Sequence, residues 1–206
     1  MIRVKICGVN DAPSFDAAIA SGADWIGFVF FGASPRCISP QTAADLSARA
    51  DGAVQRVGLF VTPGDDAIAA TLAAVQLDAL QLYDTPARVA DIAGRFGVPV
   101  WRAVAVTGAD DLPTDAGAAA ALVVEPRPPL GATRPGGNAT SLDPAILRGW
   151  RPAFPWLLAG GLTPANVADF ISASGANAVD VSSGVESSPG VKSTALIAAF
   201  IAAARG

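Results

Sequence analysis

A few residues in this chain have the types and placement to do chemistry on a small anionic ligand. Cys7 closes the short run Arg3-Val4-Lys5-Ile6-Cys7, and its thiol is a candidate base. An isolated thiol titrates near ~8.5 and lower beside positive charge, so an electropositive mouth would bring its ionisation toward neutral pH. Glu125 ends the apolar run Ala121-Leu122-Val123-Val124, and a carboxyl partly buried there gains the raised pKa of a general acid. Arg36 follows Ser34-Pro35 on a long loop, where its fork could grip a carboxylate. Two glycine clusters, Ala159-Gly160-Gly161-Leu162 and Ser182-Ser183-Gly184-Val185, let backbone approach a ligand and free N–H groups hold a phosphate. Each feature alone has a plainer counterpart: a small buried thiol, a solvated loop charge, a surface arginine, a pair of ordinary turns.

Composition narrows the chemistry further. The 206 residues contain no histidine, which excludes histidine triads, histidine-ligated zinc and the usual near-neutral base. The two cysteines, Cys7 and Cys37, match no zinc spacing and make no disulfide framework. Apolar types reach 51% and charged types 16%, enough for a large core and incompatible with a disordered chain. A net charge of −4 without a basic stripe is a poor basis for nucleic-acid binding. The amino terminus lacks a signal-like apolar core, and the apolar stretch 195–204 is far shorter than the ~20 residues of a membrane span. The expectation is a cytoplasmic protein that engages neither membrane nor nucleic acid.

The elements that must position these residues alternate. Strands are expected at 3–7, 25–30, 56–61, 79–82, 100–106, 121–124, 156–159 and 178–181, with helical patterns between them. Ser39-Pro40, Thr85-Pro86 and Thr163-Pro164 pair an N-cap with proline at the first helical position. Eight strand–helix units over one domain, residues 1–206, suit a compact (β/α)8 TIM barrel, with a doubly wound open sheet as the alternative. The echo between Ala20-Ser21-Gly22-Ala23-Asp24 and Ala173-Ser174-Gly175-Ala176-Asn177 favours the barrel. In a barrel the strand carboxyl ends carry function, and the loops after strands seven and eight often hold phosphate.

Several strings resemble one family in order along the whole chain. Lys5-Ile6-Cys7-Gly8, Gly22-Ala23-Asp24, Ile26-Gly27-Phe28-Val29-Phe30 and Ser34-Pro35-Arg36 are similar to the amino-terminal half of phosphoribosylanthranilate isomerases. Val57-Gly58-Leu59-Phe60-Val61, Leu80-Gln81-Leu82, Pro135-Gly136-Gly137-Asn138, the run from Leu158 through Gly160-Gly161 to Val167, and Val179-Asp180-Val181-Ser182-Ser183-Gly184-Val185-Glu186 continue the resemblance. It implies a barrel of tryptophan biosynthesis that uses no cofactor or metal. The implied reaction is the Amadori rearrangement of N-(5-phosphoribosyl)anthranilate to 1-(2-carboxyphenylamino)-1-deoxyribulose 5-phosphate. An acid opens the ribose ring and a base removes the C2′ proton. By resemblance, Cys7 is the base, Arg36 holds the anthranilate carboxylate, and Gly160, Gly161, Ser183 and Gly184 hold the phosphate. Asp180 is a site residue near the ribose. The partner is a phosphoribosylated small molecule, and the protein a monomer or homodimer.

Three positions depart from that pattern. Glu125 stands where the family has an aspartate acid; Tyr83-Asp84 replaces the His-Gly that commonly follows strand four; and Ala139 replaces a glycine after strand six. A one-methylene change in an acid's reach matters, since misplacement by ~1 Å can cost ~10²-fold in rate. Asp84 is a second, less favoured acid. Two other functions fit parts of the pattern: a binding protein for a phosphorylated ligand, and another sugar-phosphate isomerase.

Overall fold

Strands buried on both faces need a covered sheet, and here the sheet closes on itself. The computed structural model describes every residue except 51, 133 and 137–139. Its strands are β1 (Arg3–Cys7), β2 (Trp25–Val29), β3 (Gln55–Val61), β4 (Ala79–Tyr83), β5 (Val100–Val106), β6 (Ala121–Pro126), β7 (Trp156–Ala159) and β8 (Ala178–Val181). They form one closed barrel in chain order. β1 pairs in parallel with both neighbours, Lys5 lying beside Trp25 on β2 and Asp180 on β8, which leaves no open edge. The open-sheet alternative is thereby excluded.

The helices are α1 (Ala12–Ala20), α2 (Pro40–Ser47), α3 (Asp65–Ala74), α4 (Pro86–Phe96), α5 (Val167–Ser174) and α6 (Thr194–Arg205). Ser39 and Thr85 cap α2 and α4 as expected, each accepting a hydrogen bond from the backbone N–H three residues on. Gly22 and Gly175, the echoed glycines, both lie just past a helix end with φ of +83° and +70°.

Three expectations need correction. Among the described residues, the connections after β5 and β6 hold only the 3-10 turns Ala109–Asp111 and Pro144–Leu147, where helices were expected. Those connections hold Pro113, Gly117, Pro128, Pro129, Gly131, Pro135 and Gly149, and interior Pro costs a helix ~3 kcal/mol and Gly ~1. Thr163-Pro164 starts a turn, because the Asn166 side chain accepts from Thr163 N–H at 2.7 Å and donates to Gly161 O at 3.0 Å, deferring α5 to Val167. Beyond β8 lies an unforeseen antiparallel hairpin, β9 (Glu186–Ser188) with β10 (Val191–Lys192), turning at Pro189-Gly190.

Strand alternation sorts the side chains. Val4, Ile6, Ile26, Phe28, Leu80, Leu82, Leu122, Val124, Leu158 and Val179 face outward into the main core, which the helices cover. Inside, Trp25 and Trp101 meet edge to face, centroids 5.2 Å apart, within a cluster with Ala79, Ala121 and Ala178 toward the strand amino ends. That inner packing fills one end of the barrel and leaves the carboxyl ends to the polar residues.

Candidate active site

Cys7, Arg36, Glu125, Asp180, Gly160, Gly161, Ser183 and Gly184 all line one cleft at the carboxyl ends of the strands, with an empty volume of about 820 Å³ that includes its open mouth. The site residues expected from the sequence are therefore brought together. Asp84 does not line the cleft; its carboxylate accepts from Thr85 N–H at 2.8 Å, which removes it as a second acid. Gly137, Asn138 and Ala139 of the glycine loop after β6 lie outside the described residues.

Cys7 and Lys5 share the inward face of β1, and both side chains pack against the bare α-carbon of Gly27 on β2. A Cβ there would stand 3.0 Å from Cys7 Sγ and 3.2 Å from Lys5 Cε. Lys5 is fully buried and bonds Asp180 Oδ1 at 3.0 Å. Burial opposes its charge, but Asp180 and then Cys7 outweigh burial and hold the ammonium pKa above the ordinary value. The expected low thiol pKa is not found. Burial pushes the Cys7 thiol up, and the pull of Lys5 recovers only part of that; Asp180 adds to the rise and Lys192 opposes it. An ammonium already neutralised by a carboxylate gives the thiol little net positive field. Lys5 carries no signal of its role in the sequence beyond a charge between apolar neighbours in β1, and that role emerges only from the closure of β1 on β8.

Glu125 faces Cys7's neighbours from the other side of the barrel. Burial lifts its carboxyl pKa to about 8; the Tyr83 hydroxyl pulls it down, Asp180 adds to the rise, and Lys5 opposes it. Glu125 is thus a protonated, buried acid at neutral pH, as the sequence led us to expect. Its Oε1 has no protein partner among the described residues.

Arg36 is a buried cation rather than a surface one. Its alkyl stem crosses Gly8, where φ is +75° and a Cβ would come within 2.5 Å of Arg36 Cδ. Its Nε and Nη2 donate to Glu186 Oε1 and Oε2 at 2.6 and 2.9 Å, a side-on fork on a residue that also lines the cleft. Lys192 Nζ donates to the same carboxylate at 2.8 Å and to Ser182 O at 2.9 Å. Burial works against the Glu186 charge, yet Arg36 and Lys192 prevail and its pKa is lowered. Burial lowers the Lys192 pKa despite Glu186. Glu186 and Lys192 escaped sequence reasoning; the available signal was Pro189-Gly190, a turn dipeptide that folds the chain back.

The glycine loops are shaped by close packing. Gly160 and Gly161 have φ of +92° and +66°. A Cβ on Gly160 would overlap the Pro126 ring, one on Gly161 the Ser141 side chain, and one on Gly184 the Leu162 carbonyl. Among the described residues, no carbonyl or side chain accepts from the backbone N–H groups of Gly160, Gly161, Ser183 or Gly184. Such donors at a cleft wall can hold a phosphate. Among the described residues, no cluster of three or more His, Cys, Asp or Glu could hold a metal, and no helix is long and apolar enough to cross a membrane.

A closed eight-stranded barrel with a buried carboxyl, a thiol and a rim of free backbone N–H donors at its carboxyl end fits the class of proton-transferring enzymes acting on small phosphorylated substrates. Residues 4–203 match the family model described as N-(5′-phosphoribosyl)anthranilate isomerase. The N-(5′-phosphoribosyl)anthranilate isomerase of Acidiphilium cryptum is 52% identical over 204 residues, covering 99% of this chain and 98% of its own. The crystal structure of phosphoribosyl anthranilate isomerase from Thermotoga maritima superposes with a TM-score of 0.85 at 34% identity, covering 100% of both chains. A crystal structure of phosphoribosyl anthranilate isomerase in complex with reduced 1-(o-carboxyphenylamino)-1-deoxyribulose 5-phosphate gives a TM-score of 0.82 at 32% identity over 100% of both chains. The chain belongs to the N-(5′-phosphoribosyl)anthranilate isomerase family of tryptophan biosynthesis.

Proposed function

We propose that this chain isomerises N-(5′-phosphoribosyl)anthranilate with Glu125 as acid and Cys7 as base. Glu125 gives its proton to the ribose ring oxygen as the C1′–O bond breaks, leaving a Schiff base. Cys7, as thiolate, removes the C2′ proton. The electron pair of that C–H bond forms the C1′–C2′ double bond of an enolamine, which tautomerises to the 2′-ketone by protonation at C1′ and loss of the 2′-hydroxyl proton. The sum is an internal redox exchange between C1′ and C2′, so the balance needs no outside oxidant or reductant. Arg36 holds the anthranilate carboxylate, the N–H groups of Gly160, Gly161, Ser183 and Gly184 hold the phosphate, and Asp180 stands near the ribose while fixing Lys5. The reading places the protein in the cytoplasm, as a monomer or homodimer.

The observation that carries this reading is one cleft lined by a protonated carboxyl, a thiol, an arginine and two donor-rich loops. Freshly made substrate mixed with wild-type protein should lose its anthranilate-type fluorescence, and Arg36→Met should raise KM at least 10-fold through loss of the carboxylate fork. Binding of the reduced product analogue without any turnover would instead favour a binding protein. Turnover of a different aminoaldose phosphate alone would favour another sugar-phosphate isomerase.

A further inference from the structure

Tyr83 occupies the cleft beside the acid and has no part in the mechanism above. Strand register explains how it gets there. β5 lies between β4 and β6, and its inward face continues from Trp101 through Ala103 and Ala105. Leu82 pairs with Arg102 on one side, and Ala105 pairs with Glu125 on the other. Two alanines thus leave the space through which the Tyr83 ring crosses toward Glu125. The two oxygens converge at the α-carbon of Gly136. A Cβ there would overlap the Tyr83 hydroxyl and stand 3.0 Å from Glu125 Oε2. With Oε2 facing the phenol, the buried Oε1, which has no partner among the described residues, is the oxygen left for the substrate.

We infer that Tyr83 is a positioning residue for the acid: its hydroxyl donates to Glu125 Oε2 and turns Oε1 toward the ring oxygen of the substrate. This rests on Glu125 being the acid. It also gives two of the three departures from the family pattern, Glu125 and Tyr83, one physical meaning. A side chain longer by one methylene has an additional torsion, and a neighbouring phenol removes that freedom. The groups facing Glu125 are Tyr83 from β4, Asp180 from β8 and Lys5 from β1, and Cys7 in turn acts on Tyr83. Of these only Tyr83 combines a hydrogen-bonding hydroxyl with freedom from any other role in the site.

Three measurements test the assignment. Isotope-edited infrared or carbon NMR, with Glu125→Gln to identify the signal, follows the Glu125 carboxyl directly. Tyr83→Phe keeps the ring and should move that titration upward from about 8, because the hydroxyl favours the carboxylate. At pH 7, where Glu125 is protonated in both proteins, Tyr83→Phe should lower kcat/KM roughly 10-fold, and in the Glu125→Gln background it should cost less than about 2-fold. Tyr83 is the sole tyrosine, so ultraviolet titration of the intact chain reads it alone. Burial first, then the Glu125 charge, hold it well above 10.0, and Glu125→Gln should lower it. This third readout needs no substitution at Tyr83 and stands if Tyr83→Phe fails to fold. An unmoved carboxyl titration, additive losses in the cycle, or an unmoved phenol would each overturn the assignment. Absence of turnover by wild type would overturn the isomerase reading, and the two titrations would then decide the Tyr83–Glu125 pairing by themselves.

Discussion

Glu125 and Cys7 carry pKa values in an unusual order, and that order has a kinetic consequence. The acid titrates near 8 and the thiol above its ordinary value, so the working form, carboxyl protonated and thiol ionised, is a minority at every pH. Below 8 the acid is fully protonated and only thiolate formation changes with pH. kcat/KM should therefore climb about tenfold per pH unit, bend near 8, stay level, and fall only once Cys7 itself titrates. A profile level through neutral pH and falling above 8 would mean a low thiol pKa and would contradict the arrangement around Lys5. Replacing the acid tests its role more bluntly: Glu125→Gln should reduce kcat by about 10²–10⁴ while binding of the reduced product analogue persists. At this scale the sequence disclosed much. Cys7 and Glu125 stood out at strand ends and Arg36 on the loop after β2, whereas the roles of Cys7 and Arg36 and the choice of Asp180 came from the family resemblance. The thiol's direction of shift was not legible, since it depends first on burial inside the closed barrel and then on how far Asp180, from the last strand, offsets Lys5. That partner lies 175 residues away.

The β9–β10 hairpin is the element that makes Arg36 rigid. Its first residue, Glu186, takes both forks of Arg36, its last, Lys192, braces the carboxylate, and its turn docks on the β2–α2 loop. Gly190 donates to Glu186 Oε2 at 3.2 Å and accepts from Asn10 Nδ2 at 3.1 Å. With φ of +83°, and Pro35 O within 2.5 Å of any Cβ, this position admits only glycine. Gly190→Ala should raise KM several-fold with a smaller change in kcat, because the clamp loosens while acid and base stay in place. Glu186→Gln should do so more severely and should lower unfolding stability by about 3–5 kcal/mol, since it leaves two buried cations without their counter-charge. Steady-state kinetics and denaturant titration read the two effects separately. The hairpin was hidden in the sequence because two short strands carry no periodicity. The missing helices after β5 and β6 were hidden because alternation of units invites the expectation of a helix even where proline and glycine forbid it. The strands themselves were legible almost to the residue: β1, β5, β7 and β8 have the bounds expected of them.

Across the whole molecule, the buried acid trades stability for function. Glu125 is protonated to about 8 in the folded barrel and titrates near 4.5 when exposed. Between those values the folded state binds the extra proton, so rising pH favours unfolding. The cost is absent below 4.5, grows through the window and is complete above 8, reaching several kcal/mol at roughly 1.36 kcal/mol per unit. Glu125→Gln keeps the shape and removes the titration. Its stability relative to wild type should therefore increase from pH 5 to about pH 8 and then level off, as measured by urea unfolding; a constant difference would mean that Glu125 is not held protonated. The closed barrel bears this cost because its outer core and inner tryptophan packing lie apart from the polar mouth.

The central claim is that a thiol and a carboxyl across one barrel mouth carry out the isomerisation. Its most direct measurement is turnover of freshly made phosphoribosylanthranilate by wild type and Cys7→Ala, with binding of the reduced product analogue measured on both. The account predicts turnover by wild type, loss of at least 10²-fold in kcat for Cys7→Ala, and binding nearly unchanged. Turnover that survives Cys7→Ala would contradict it by taking the base away from the thiol.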